Sequence, residues 1–161
     1  VAIGNQLWMA ENMNRVTDGS YCYEENAANC DIYGRLYTHG AASQVCPKGW
    51  HLPDQTEFST LVSSVGGSDY AGYLLKSTTR WVEERMSGNG SDRYSFRALP
   101  AGQRKNDGSY AKVNYDTWFW STTTSSALSY YALHFMNIAD DGYVSAVGDE
   151  TANSVRCIQD N

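Results

Sequence analysis

The stretch VCPKGWHLPDQTEF, Val45 to Phe58, places Cys46, Trp50 and His51 among two prolines, Pro47 and Pro53. A thiol close to an imidazole is the raw material of nucleophilic catalysis, which needs a free sulfur, a lowered thiol pKa and an Asp or Asn to orient the ring. The competing reading is a structural corner, with Cys46 oxidised, the prolines stiffening the approach and Trp50 packed into the core. The cysteine inventory favours the corner. Cys22, Cys30, Cys46 and Cys157 form an even set with no Cys-x-x-Cys pair and no Cys/His spacing of the zinc-site kind. Three pairings are open. The short segment CYEENAANC points to Cys22–Cys30, which leaves Cys46 to reach Cys157. Two bridges imply an oxidising compartment, outside the cytosol. His51 then reads as a hydrogen-bonded, partly buried residue, and so do His39 and His134, which lack metal-ligand spacing.

The other groups able to meet a ligand lie between Met86 and Asn153, where strands present loops. NDGSYAKVNYDTW offers Tyr110, Asn114, Tyr115 and Asp116, and SYYALHFMNIADDGY adds Tyr130, Asn137, Asp140, Asp141 and Tyr143. Tyrosine supplies stiff contact area with a polar tip, and Asn and Asp supply adaptable hydrogen bonds. Trp118, Trp120, Tyr131 and Phe135 alternate within strands and are read as core. The pairs Asp140-Asp141 and Asp149-Glu150 make a structural calcium the one cofactor to weigh, although their spacing fits no EF-hand loop.

These residues need a scaffold. VAIGNQLWMAEN reads as an N-terminal strand with Ile3 and Trp8 inward, and 13–35 as loop. LYTHGAASQVC reads as a short helix interrupted by Gly40. Asp54 with Glu57 approximates a capping box, and Phe58, Leu61, Val62 and Val65 recur at helical spacing until Gly66-Gly67 stops them. A second helix is expected over 70–76, with Leu74 and Leu75 inward. Beyond Arg80, YSFRALPAGQR, DTWFWSTTT, SYYALHFM and SVRCIQD read as strands. DTWFWSTTT carries aromatics on both faces, as a central strand does. Helices followed by a run of strands indicate an α+β fold with an antiparallel sheet.

Composition bounds the function. At 161 residues the chain fits one domain, 1–161, and with 13% aromatic and 19% charged residues it should fold. A net charge of −6, with no basic run, argues against a nucleic-acid partner. No apolar run is long enough to insert in a membrane. The start at Val1, without a methionine, reads as a piece of a larger chain.

In order along the chain, IGNQLWMAENMN, YCYEENAANCDIYGRLYT, CPKGWHLPDQTEFSTL, FRALPAGQR, FWSTT and SVRCIQD resemble the Fibrobacter succinogenes major paralogous domain. The resemblance implies a C-type lectin-like fold: two helices, a small antiparallel sheet, terminal strands brought together and a long irregular loop region on one side. It also implies secreted or surface-attached bacterial proteins. Phe58 stands where relatives often carry Trp, and His39 where an aromatic is common. No Glu-Pro-Asn, Gln-Pro-Asp or Trp-Asn-Asp triplet occurs, so sugar binding through calcium in the usual lectin manner is not expected. HLPDQTEF is also similar, more distantly, to a stretch of the formylglycine-generating enzymes, but those need a reactive cysteine pair to hold copper. The expectation is a non-catalytic extracellular binding or adhesion module whose partner is a polysaccharide or a surface protein. The alternatives are a structural module and an oxidase of that type.

Overall fold

A computed structural model describes residues 1–83 and 87–160. The chain opens on a tight hairpin, β1 (Ala2–Ile3) and β2 (Gln6–Leu7), followed by β3 (Ser20–Tyr21) and a single 3-10 turn, Tyr23–Glu25. Next come α1 (Ala27–Tyr33), β4 (Leu36–Thr38), α2 (His39–Val45), β5 (Trp50–His51), α3 (Gln55–Ser64) and α4 (Ser68–Leu75). After an irregular stretch follow β6 (Ala101–Arg104), β7 (Tyr110–Val113), β8 (Asp116–Ser126), β9 (Ser129–Met136) and β10 (Gly142–Gly148). Short strands β11 (Ala152–Asn153) and β12 (Ile158–Gln159) close the chain.

The fold is α+β. It has four α-helices among the described residues and an eight-stranded sheet ordered β10-β9-β8-β6-β11-β4-β3, with β7 paired to β6. Both numbers exceed the two helices and small sheet that the resemblance implied. The sheet is also not purely antiparallel, because β6 meets β8 in parallel at Gly102 and Thr117. The ends of the chain do come together: Trp8 bridges Ile158, and the Met9 amide donates to the Cys157 carbonyl at 3.1 Å.

Where local chemistry is strong, the expected elements appear. In α3 the Glu57 amide donates to Asp54 Oδ1 and the Asp54 amide to Glu57 Oε2, both at 2.8 Å, completing the capping box. The apolar stripe Phe58, Leu61, Val62 and Val65 is buried in one cluster with Trp8, Phe119, Leu133 and Phe135. The left-handed Gly66 and Gly67 then end the helix. Leu75 is buried at the end of α4, and Leu74 packs beside the same cluster. Strand β8 is central: Phe119 enters this cluster, while Trp118 and Trp120 enter a second one with Tyr37, Val45, Leu52 and Val155.

Five further expectations need correction. Residues 13–35 are not all loop, because Asn26 caps α1 by accepting from the Ala28 amide at 3.0 Å; seven residues are too few to show a periodicity. Gly40 does not interrupt α2, since it lies in the first turn behind the Thr38 cap. The YSFRALP segment is not a strand; Ser95 and Arg97 adopt left-handed φ of 57° and 53°, which breaks any ladder. Tyr131, expected in the core, is only half-buried.

Nor is most of SVRCIQD a strand, because a buried cation organises it. Arg156 is 0% exposed. Its Nη1 donates to the carbonyls of Met9 (3.1 Å) and Phe96, and its Nη2 to Asn12 Oδ1 and the Arg97 carbonyl (3.4 Å). The guanidinium lies over Phe96, 4.4 Å from the ring centre, and near Phe119 at 5.4 Å. Burial pushes its pKa down to about 9. Replacing it by Arg156→Met would leave three carbonyls and an amide oxygen without their donor. We expect urea unfolding to show a loss of roughly 3–5 kcal/mol, since each buried orphan costs about 1–3 kcal/mol; a loss under about 1 kcal/mol would refute this organising role.

Candidate functional site

The corner that opened the sequence question is structural on its cysteine side and ionic on its histidine side. Cys46 is bridged to Cys157 and Cys22 to Cys30, and no cysteine is free. The first bridge closes 111 positions of chain, a constraint worth about 4.7 kcal/mol in the loop-entropy picture for a loop of ~100 residues. His51, on β5, sets Nδ1 2.7 Å from Asp160 Oδ1 and Nε2 2.9 Å from Glu57 Oε1. Ionised carboxylates only accept, so the doubly protonated ring satisfies both contacts. Partial burial works against that charge, yet the hydrogen bonds to Asp160 and Glu57 hold the pKa above 6.5. Trp50 is half-buried against the second cluster.

Around this corner lies a hollow of about 350 Å³, walled by Ser43, Gln44, Trp50, His51, Glu57 and Thr122 among others. Ser43 and Thr122 also line a larger hollow of about 540 Å³, with Thr38, His39, Gly40, Thr124, Tyr130 and Asp149. The two therefore adjoin, forming one groove between α2 and the outer half of β8. In β8 the buried run ends at Ser121; the register against β9 then shifts, and Thr122 and Thr124, on the face that carries Trp118 and Trp120, are exposed.

His39 is the hinge of the groove. Its Nε2 lies 2.9 Å from the Ser121 carbonyl, which can only accept, so Nε2 carries the proton and Nδ1 is an acceptor in the neutral ring. Burial keeps the pKa below 6.5, outweighing the Ser121 carbonyl and Asp149. The ring stacks on Tyr130 with centroids 3.3 Å apart and meets Trp120 edge-on at 5.3 Å. In the sequence His39 reads as structural, and Thr122 and Thr124 carry no signal of a site. Alternation places them on the face of Trp118 and Trp120, and neither the end of the buried run nor the α2 wall opposite them shows in the sequence.

The nine residues proposed from the sequence do not form one face. Tyr130 lines the groove. Tyr110 and Asn114 lie across the sheet: the Tyr110 hydroxyl donates to Glu25, and Asn114 Oδ1 accepts from the Tyr33 hydroxyl at 2.6 Å. Tyr115, Asp116, Asn137, Asp140, Asp141 and Tyr143 gather where β8 starts and β9 turns into β10. Two of them are interior. Asn137 is 2% exposed, with its amide donating to the Val82 carbonyl, and Asp116 is 8% exposed beside His134. A polar residue type near a turn signal does not reveal that its partner is buried with it. Tyr143 rests against His134, whose ring stacks on Trp118, and Tyr115 is exposed. Met86, the first bound of the expected face, lies outside the described residues.

Residues 1–159 match the family described as the Fibrobacter succinogenes major domain. The chain belongs to that family. No curated protein and no solved structure shows a significant match. Among the described residues of this family member, no helix is long and apolar enough to cross a membrane, and no group of three or more His, Cys, Asp or Glu residues could hold a metal.

The His51 bridge makes a pH-dependent contribution to stability. Because the folded pKa is raised, the stabilisation is fully present below about pH 6.5 and is lost as pH rises through the folded value. We expect wild type to exceed His51→Gln in Tm at about pH 5.5 and the gap to close by about pH 8.5. A gap that is constant or widens with pH would contradict the bridge.

Proposed function

We propose that this domain is a non-catalytic binding module of a bacterial secreted or surface protein, with a C-type lectin-like fold, and that its ligand is a polysaccharide held in the groove between α2 and β8. The observation that carries the reading is the stacked His39–Tyr130 pair in an open groove lined by Ser43, Thr122, Thr124 and Asp149. A pyranose ring has an apolar C–H face and a rim of hydroxyls. Aromatic rings suit the face, and side-chain hydroxyls, a carboxylate and the His39 Nδ1 acceptor suit the rim. The extension past Ser43 to Trp50 gives a chain of sugars a second aromatic. Two disulfides are compatible with an extracellular setting.

The test is affinity electrophoresis against plant and bacterial polysaccharides, with calcium and then with chelator. One polysaccharide should retard the domain, and Tyr130→Ala and Thr124→Ala should each weaken that retardation, the tyrosine by about tenfold, on the order of 1.4 kcal/mol. Circular dichroism would establish that both variants are folded. Retardation unaffected by either substitution would place the ligand elsewhere, and no retardation by any polysaccharide would turn the search to protein partners.

A further inference from the structure

Lys76, directly after α4, is 0% exposed, a rare state for an ammonium. It lies far along the sheet from the groove, against the turn between β9 and β10. Its three hydrogens have three oxygen acceptors: the Ala139 carbonyl at 2.8 Å, the Met136 carbonyl at 3.1 Å and Ser87 Oγ at 3.2 Å. Ser87 in turn donates to Asp140 Oδ1 at 3.1 Å. The Trp81 ring lies 5.1 Å from Nζ. Burial lowers the Lys76 pKa to about 8 against the opposing pull of Asp140 and Asp141, so the group is charged at neutral pH.

The turn is also fixed to the helix by its backbone. The Tyr73 amide donates to the Asp140 carbonyl at 2.9 Å, and Gly72 sits so close to the Asp141 carbonyl that no Cβ would fit. The oxygens converging on Nζ, carbonyls and a hydroxyl with carboxylates behind them, are of the kind that hard divalent cations take. Their spacing is that of hydrogen bonds, longer than the roughly 2.3–2.6 Å of calcium coordination.

We propose that the Lys76 ammonium is the resident cation of the β9–β10 turn, standing where a metal ion would otherwise be required, so that the turn is closed to calcium while Lys76 is present and becomes a cation site once the side chain is removed. The acidic pair Asp140-Asp141 then serves an internal charge. This assignment is independent of the polysaccharide reading.

Thermal unfolding of wild type, Lys76→Ala and Lys76→Met, each in calcium and in chelator, tests it. Wild type should melt at one temperature in both. Lys76→Ala should melt lower in chelator and recover by on the order of 5 °C with calcium at about 100 times its dissociation constant. It should also bind terbium with emission sensitised by Trp81. Lys76→Met, which fills the space without charge, should do neither. In wild type, the ammonium protons of one lysine should exchange slowly enough with water to be seen by nitrogen-edited NMR, a readout that stands even if Lys76→Ala does not fold. A calcium-dependent melting temperature in wild type, a folded Lys76→Ala blind to both metals, or no protected ammonium in wild type would overturn the proposal.

Discussion

The guanidinium of Arg156 is the point at which distant parts of the chain are tied together. It draws its acceptors from the N-terminal segment, through Met9 and Asn12, and from the irregular stretch before β6, through Phe96 and Arg97. A buried charge is costly unless its donors are met, and here backbone carbonyls and an amide oxygen take the hydrogens of both Nη atoms, while Nε has no partner. Those carbonyls are free to serve because residues 94–100 are not in a ladder. The irregular backbone and the buried arginine therefore depend on each other. Cys157, next in sequence, adds the covalent tie to Cys46 and so anchors the end of α2 to the same region.

From that anchor the groove inherits its rigidity. α2 is held at one end by the disulfide and at the other by the Thr38 cap, so His39 starts a helix that cannot drift. Opposite it, β8 is pinned by Trp118 and Trp120 on one face and Phe119 on the other, and the Trp120 Nε1 donates to the Tyr37 carbonyl at 2.8 Å. Where the buried run of β8 gives way to Thr122 and Thr124, the strand leaves the core and becomes a wall. Side chains placed on a strand and at a helix start are held more accurately than side chains on loops.

The two interior cations, Arg156 and Lys76, share one solution beside rings of the first hydrophobic cluster. Each is met chiefly by backbone carbonyls and each lies beside an aromatic ring, Phe96 for Arg156 and Trp81 for Lys76. Carbonyls left over by irregular backbone would otherwise be orphaned, so each cation and each irregular segment satisfies the other. Neither pairing follows from residue type, because an isolated Arg or Lys reads as surface.

What could be read from the sequence was what is decided within a few residues or by strict alternation. The α3 capping box and apolar stripe, its glycine stop, the two-faced aromatics of β8, the span of β9 and the Cys22–Cys30 bridge fall in this class; the Cys46–Cys157 bridge, across 111 positions, followed from the even cysteine count by elimination. Tyr130 as a groove residue was legible because it flanks a turn in an aromatic strand. The rest depended on partners remote in the chain. The seven residues of α1 carry too short a pattern, and the failure of YSFRALP as a strand follows from carbonyls taken by Arg156, some 60 positions away. Asn137 and Asp116 looked like ligand residues until burial gave them internal partners. His39 became part of a groove only when α2 was laid against β8, which brings it to the Ser121 carbonyl across 82 positions. The sequence by itself determined local hydrogen bonding, periodicity and the inventory of charges and thiols; the tertiary structure decided which polar groups meet, since burial depends on what the fold lays against each residue.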